Sequence, residues 1–396
     1  MAPVSGSAYT YSYIAFGEII AFIIGWDLIL EYALSAATVA VGWSGYFVNL
    51  LDNLGIHIPR VLTAAAGTTP HVTTYFNLPA FLMVLIITWI ISMGITQTKR
   101  VNDTMVIIKL AVIILFIACT VWFIHPENWR PFSPYGLYSH HHGVATGIIP
   151  GASIVFFSFI GFDSVSSSAE ETINPSKTLP RGILLSLVIS TILYVVMTMT
   201  MTGVVKYPVF RRFINAPILA VLAKTGQTWL SIVVSIGAIL GMTTVVLVQL
   251  YGQSRISYSM ARDGLFPKFF GEVDQKHQTP FKGTWFFGVI AALGAGLINL
   301  NILSELVNVG TLTAFILVSA GVLIMRHTQP DLHRGFRAPG VPFTPLISIA
   351  FCLTLVAGLN RETWIRFFVW LLLGMALYFS YSRRHSKLNQ THRRNK

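Results

Sequence analysis

Charge is what this sequence has least of. Asp, Glu, Lys and Arg make up 11% of its 396 residues, against roughly 25% in an ordinary soluble domain. A soluble fold of this length needs a charged shell, and so few charges cannot cover it. Disorder is excluded by the opposite argument, because it needs low hydrophobicity and 54% of these residues are hydrophobic. Cysteine is nearly absent. Cys119 and Cys352 both lie in apolar runs, so they cannot build an extracellular disulfide framework. The amino terminus, Met1-Ala-Pro-Val-Ser-Gly-Ser-Ala-Tyr9, lacks a basic n-region and a cleavage site. The mature chain is therefore expected to begin where the sequence does. Acidic residues are scarcer than basic ones, 15 against 27. In a soluble protein a net charge of +12 would raise nucleic acid as a partner; in so apolar a chain it marks cytoplasmic loops instead. What remains is a polytopic membrane protein whose outer face meets the lipid bilayer.

Long apolar runs are what the chain has in place of charge. A membrane helix needs about 20 mostly apolar residues. Ten candidates lie near 14–51, 78–97, 102–125, 143–168, 180–205, 228–262, 283–300, 304–325, 345–360 and 363–382. The first and sixth are too long for an upright span and are expected to tilt or overrun the bilayer. Asn174-Pro175, Thr279-Pro280 and Ala338-Pro339-Gly340 punctuate the connectors. Ten spans put both termini on one face. Lys and Arg concentrate on that face, and Arg383, Arg384, Lys387, Arg393, Arg394 and Lys396 close the chain, so both termini are expected in the cytoplasm. One connector dissents. Residues 206–227 carry Lys206, Arg211, Arg212 and Lys224 on the outer face, and Pro208 and Pro217 predict a short helix lying in the interface. Residues 1–382 form the expected transmembrane domain, and 383–396 a basic cytoplasmic tail with too few apolar residues to pack.

Glu18, Asp27, Glu31, Lys109, Asp163 and Glu305 fall within or near the spans. A charge near the bilayer centre costs at least about 2.5–3.5 kcal/mol on insertion scales, so these residues face the bundle interior or a water cavity. For Glu18 and Glu305, close to span ends, the expectation is an internal salt bridge that holds helices together. For Lys109 and Asp163 it is a functional role. Lys109 sits about one and a half turns into its predicted helix. A lysine in apolar surroundings can lose and regain a proton near neutral pH, which suits a proton-coupled carrier. Snorkelling to the cytoplasmic surface is the alternative.

The stretch Gly147-Ile-Ile-Pro-Gly-Ala-Ser-Ile-Val-Phe-Phe-Ser-Phe-Ile-Gly-Phe-Asp163 is the most informative. Pro150 and Gly151 loosen its start. Ser158, Gly161 and Ser164 leave its middle thin. A break there frees backbone groups at mid-membrane, which are tolerated only where they line a cavity. Free carbonyls would bind an ammonium, and half-helix amino termini a carboxylate. The competing reading is a packing face of small residues; Asp163 just after the thin stretch favours the cavity. His140, His141 and His142 lack acidic or cysteine partners nearby and read as a polar outer loop rather than a metal site. Trp122, Trp129, Trp229 and Trp364 read as interface anchors. Gly241-Met-Thr-Thr244 either lines a pocket or packs a helix.

Four segments together carry a family likeness. They are Gly6-Ser-Ala-Tyr-Thr-Tyr-Ser-Tyr13 with Gly25-Trp-Asp-Leu-Ile-Leu-Glu-Tyr32; Lys109; Phe156-Phe-Ser-Phe-Ile-Gly-Phe-Asp163 with Glu170-Glu-Thr-Ile-Asn-Pro175; and Gln253-Ser-Arg-Ile-Ser-Tyr-Ser-Met-Ala-Arg-Asp-Gly264. In this order they resemble the amino acid–polyamine–organocation permeases, and within them the bacterial cationic amino acid transporter branch. The resemblance implies an all-α, leucine-transporter-like bundle of two inverted five-helix repeats rocking around a central site, followed by two further helices. It implies that the backbone carbonyls of Phe157, Ser158 and Ile160, beside Gly161, hold the substrate's amino group, with the Phe157 ring as a gate. It places Lys109 where sodium-coupled relatives hold the ion, making the coupling ion a proton, with Glu31 and Asp163 as polar partners near the pathway. Thr243 and Thr244 are assigned to the side-chain pocket. No metal, cofactor or enzymatic activity is implied. The family has twelve helices, and this chain starts at the third. The expectation is a permease for cationic or neutral amino acids shortened at its amino terminus, with a partner supplying the missing helices or, as the alternative, a fragment that cannot transport.

Overall fold

A computed structural model gives the fold and describes residues 17–68, 73–94, 99–141, 144–162, 172, 174–274, 276–277, 279–328, 331 and 336–386. Twelve α-helices run through the described residues: α1 (Glu18–Asn53), α2 (Leu78–Ser92), α3 (Lys99–Thr120), α4 (Ile148–Val155), α5 (Pro175–Val204), α6 (Ile218–Thr225), α7 (Thr228–Arg262), α8 (Phe281–Leu297), α9 (Leu300–Thr328), α10 (Phe343–Ala357), α11 (Arg361–Leu377) and the single turn α12 (Arg383–His385). Six helical stretches are long and apolar enough to cross a membrane, and α2, α8, α10 and the segment Ile148–Phe159 are shorter apolar helices. The chain is an all-α polytopic membrane protein, and each of the ten expected spans contains one of these segments.

Two boundaries differ from expectation. The fourth span does not begin at 143, because Val144–Thr146 (β2) pairs antiparallel with Ser139–His141 (β1) as a short hairpin. Gly147, at φ +117°, turns the chain from β2 into α4. His140 lies on that hairpin, its Nε2 3.2 Å from the Tyr138 hydroxyl, and among the described residues no cluster could hold a metal. At the other end, Ser382 and Ser386 are buried, although Arg383, Arg384 and His385 between them are exposed. Tyr378–Ser382 winds as a π-helix, and the Ser382 hydroxyl donates to the Leu265 carbonyl at 2.6 Å. Ser386 donates to Glu18 at 2.6 Å, and Tyr378 donates to the same carboxylate at 3.0 Å. Hydroxyls spaced four residues apart find acceptors on two other elements, which composition alone does not reveal. In the dissenting connector, a 3-10 helix over Tyr207–Phe213 and the short helix α6 occupy the place expected for a short helix.

The core forms around α1. It packs antiparallel along α7, with Trp43 donating to Thr243 at 3.1 Å and Asn49 donating to Ser235 at 3.1 Å. Close approach is set by Gly252, where an added Cβ would lie 2.7 Å from the Tyr32 ring. The central cluster joins α1, α2, α7, α8 and α9 through small and branched residues such as Ala36, Ala37, Ala40, Val84, Val246, Ala291 and Ala295. Small side chains let helices approach closely where lipid supplies no hydrophobic drive. Glu305 ties α9 to the start of α11, accepting from Asn360 Nδ2 at 2.7 Å and from the Thr363 hydroxyl. Glu18 and Glu305 thus both join separate segments, by accepting from hydroxyls and, at Glu305, from an amide, where a salt bridge was expected. The outer faces are apolar and bare: Leu185 on α5 is 61% exposed and Leu372 on α11 is 68% exposed. Such surface is stable only against hydrocarbon.

Candidate functional site

The helix of the fourth span ends within the thin stretch. After α4 the chain tightens into a 3-10 turn over Phe156–Phe159, extends at Ile160 (φ −64°, ψ 139°) and reverses at Gly161 (φ +110°). Only glycine adopts that φ without strain. Phe157 and Ile160 are half-buried and pack against the central cluster. Phe156 and Phe162 both lie against Phe315 of α9, with ring centroids 6.1 and 5.3 Å away.

The freed carbonyls are largely claimed by the protein. Asn308 of α9 donates from Nδ2 to the carbonyls of Ser153 at 2.7 Å and Ile154 at 3.2 Å. The Tyr194 hydroxyl of α5 donates to the Ser158 carbonyl at 2.6 Å. The Ile160 amide donates to the Phe157 carbonyl at 3.2 Å. Each carbonyl carries two lone pairs and can accept a second donor, so the Phe157 and Ser158 carbonyls, two of the three expected to meet a substrate, are held without being closed, while Asn308 holds the turn before them. Asn308 and Tyr194 were not foreseen. The available signal was a lone amide in Leu306-Val-Asn-Val-Gly310 and a lone phenol in Thr191-Ile-Leu-Tyr-Val-Val196, each needing a partner in an apolar setting.

Lys109 lies about one and a half turns into the apolar span that begins at Asp103. The helix begins at Lys99, so ten residues, about 15 Å of helix, precede it. Its stem lies across α7, where a Cβ on Gly241 would sit 3.5 Å from Lys109 Cβ. Thr244, three residues along α7 from Gly241, shares that face, and Thr243, two residues along, does not. Thr244 is buried and donates to the Gly241 carbonyl at 2.7 Å. Thr243 donates to the Ile239 carbonyl and accepts from Trp43. Both hydroxyl protons are therefore spent on their own helix. Glu31 is buried in α1, one residue from the Tyr32–Gly252 contact. Twelve residues, about 18 Å of helix, separate it from Trp43, so Glu31 and Lys109 occupy different levels of the bundle. Asp27, one turn earlier, is 1% exposed, and its carboxylate oxygens have no hydrogen-bond partner among the described residues. Asp163 lies outside the described residues, as do Gly6–Tyr13 and Glu170–Glu171.

An apolar helical bundle in which one span's helix ends part-way, with side chains from two other helices holding carbonyls at that end, suits a membrane carrier. The family model described as "Amino acid permease" matches residues 1–378. The chain is similar to the branched-chain amino acid permease BcaP of Bacillus subtilis (strain 168), at 52% identity over 98% of this chain and 82% of that protein. It is similar to the methylthioribose transporter of the same organism, at 42% identity over the same shares. It also resembles the human cationic amino acid transporter 4, at 26% identity over 98% of this chain and 78% of that protein. The chain belongs to the amino acid permease family.

Proposed function

We propose that the chain carries amino acids together with protons across the cytoplasmic membrane, with both termini on the cytoplasmic side. Neutral branched-chain amino acids are the favoured substrates and cationic ones the second choice. The observation that carries the proposal is the interruption at Phe156–Gly161 inside an apolar bundle. Backbone polar groups at that depth are sustained only by protein partners or a wet cavity, and oriented carbonyls are suited to an ammonium. Substrate backbone contacts are assigned to Phe157, Ser158, Ile160 and Gly161, with Asp163 and Glu31 as polar groups near the pathway. Thr243 and Thr244 support the wall on which Lys109 lies. Lys109 is assigned the proton, because a titratable amine laid across a helix at membrane depth can change charge as the bundle moves. The substrate preference is supported by the 52% identity to a protein named for branched-chain amino acids. The family match runs through almost the whole chain, so the reading applies to the bundle rather than to one motif. Orientation is supported by the excess of Lys and Arg on one face.

The test is uptake of labelled isoleucine and labelled arginine into proteoliposomes containing this chain, with and without an inward proton gradient. Gradient-driven isoleucine uptake, competed by leucine, is expected. Loss of all gradient dependence overturns the coupling. Preference for arginine overturns the substrate class, and competition by methylthioribose but not by leucine replaces it.

A further inference from the structure

Asn308 is fully buried in α9, and its amide is committed in one direction. In a continuous α-helix the carbonyls of Ser153 and Ile154 would accept from the amides of Phe157 and Ser158. Tightening into a 3-10 turn from Phe156 onward breaks that ladder and leaves last-turn carbonyls in need of donors. Asn308 Nδ2 reaches both, at 2.7 and 3.2 Å. Two carbonyl partners fix which end of the amide is nitrogen. Oδ1 is then turned away, buried, and without a hydrogen-bond partner among the described residues. A side chain serving only to glue α9 to α4 would be expected to satisfy both of its ends, because a buried acceptor left unmade offsets much of what the donor gains. Here the acceptor is left unmade so that the donor stays on the two carbonyls.

We infer that Asn308 is a positioning residue for transport: it fixes the end of α4, and through it the direction in which the Phe156–Gly161 backbone faces the substrate. This rests on the reading of that stretch as the substrate site. Phe156 and Phe162 seated on Phe315, two turns along the same helix, make α9 the wall against which the interrupted segment is registered. Asn308 is the polar pin of that register.

The experiment uses the full chain in proteoliposomes with labelled isoleucine. Asn308→Asp keeps the shape and replaces two N–H donors by at most one O–H. Asn308→His places a ring N–H, Nδ1, where Nδ2 stood. Loss of the paired donor should raise KM about tenfold in Asn308→Asp, with Vmax little changed, and Asn308→His should restore KM toward that of the unsubstituted chain. Unfolding temperature in detergent without substrate should not follow KM across the series. A KM unchanged in Asn308→Asp overturns the inference, and so does a joint collapse of KM, Vmax and unfolding temperature in both variants. Hydrogen exchange in the unsubstituted chain supplies a measurement that needs no variant. Added isoleucine should slow exchange in the peptide spanning 150–161, and no change there overturns the inference. A chain that neither binds nor carries any amino acid overturns the transport reading itself and the inference with it. Normal uptake with an indifferent Asn308→Asp removes the inference alone.

Discussion

The hydroxyl of Tyr194 donates to the carbonyl of Ser158 at 2.6 Å, and the Tyr194 ring stands edge-on to Phe159 at 5.2 Å. Most of α5 presents bare apolar side chains, Leu184, Leu185, Val188 and Ile192 among them. This phenol is its polar link to the interrupted segment, and it holds from one side what Asn308 holds from the other. Tyr194→Phe removes one hydrogen bond worth about 1 kcal/mol. Amides of Phe156–Gly161 should exchange about fivefold faster by mass spectrometry, while those of α9 keep their rates. Unchanged exchange across 156–161 would show that the contact is incidental.

Gly161 is demanded by its backbone rather than by space. Among the described residues a Cβ there meets nothing within 4 Å, but φ is +110°. The cost for an L-residue is of order 1–2 kcal/mol, whatever the side-chain size. Replacement by leucine therefore acts through strain and not by filling a cavity. Gly161→Ala should weaken isoleucine-dependent thermal protection as much as Gly161→Leu does. A mild alanine variant beside a severe leucine variant would restore the steric explanation.

Lys109 is expected to couple protons. Lys109→Ala should reach the membrane in normal amount and lose the dependence of uptake on an imposed pH gradient, with counterflow exchange retained. Uptake measured across gradients of opposite sign decides it. Preserved gradient dependence would remove Lys109 from the coupling path.

Glu305 is a structural tie. Its hydrogen bonds to Asn360 and Thr363 join α9 to the start of α11, and bonds to a charged group contribute about 1.5–3 kcal/mol each. Glu305→Ala should lower the unfolding temperature in detergent by several degrees and leave the isoleucine KM unchanged at permissive temperature. An altered KM without loss of stability would move Glu305 into the transport path.

The α7–α8 loop has a pH response of its own. Asp274 accepts from the His277 amide at 3.0 Å and lies 2.7 Å from His277 Nδ1. The side-chain bond from His277 is the largest cause holding its carboxyl below the ordinary value. A carboxylate lowered in the folded state stabilises above its unfolded value, near 3.9, and loses that contribution as pH falls through the folded one. The loop should resist proteolysis down to about pH 4 and open below it. Asp274→Asn should open it at neutral pH; equal resistance in both proteins would refute the clasp.

The interruption of the fourth span was legible from Ser158 and Gly161, because a thin stretch with a residue free to take positive φ is a local property. That Glu18 and Glu305 join helices was legible in part, since position near a span end sets the cost of a charge, but their uncharged partners were not. What holds the interruption was not. Asn308 is 155 residues from Ser153, and Tyr194 is 36 residues from Ser158, and nothing in either neighbourhood names its partner. The helix that carries Lys109 begins before its apolar run, because residues 99–102 are polar and continue it.

The sequence by itself determined the solvent. So few charges among so many apolar residues leave lipid as the environment, and lipid demands helices whose backbone groups bond within each segment. Tertiary structure decided which carbonyls of the one broken segment are held and by whom, and it set Lys109 against Gly241 while placing Glu31 at another level. Those choices depend on how α5, α7 and α9 dock. Docking is settled by small residues and single polar contacts between distant segments, which no local stretch of sequence encodes.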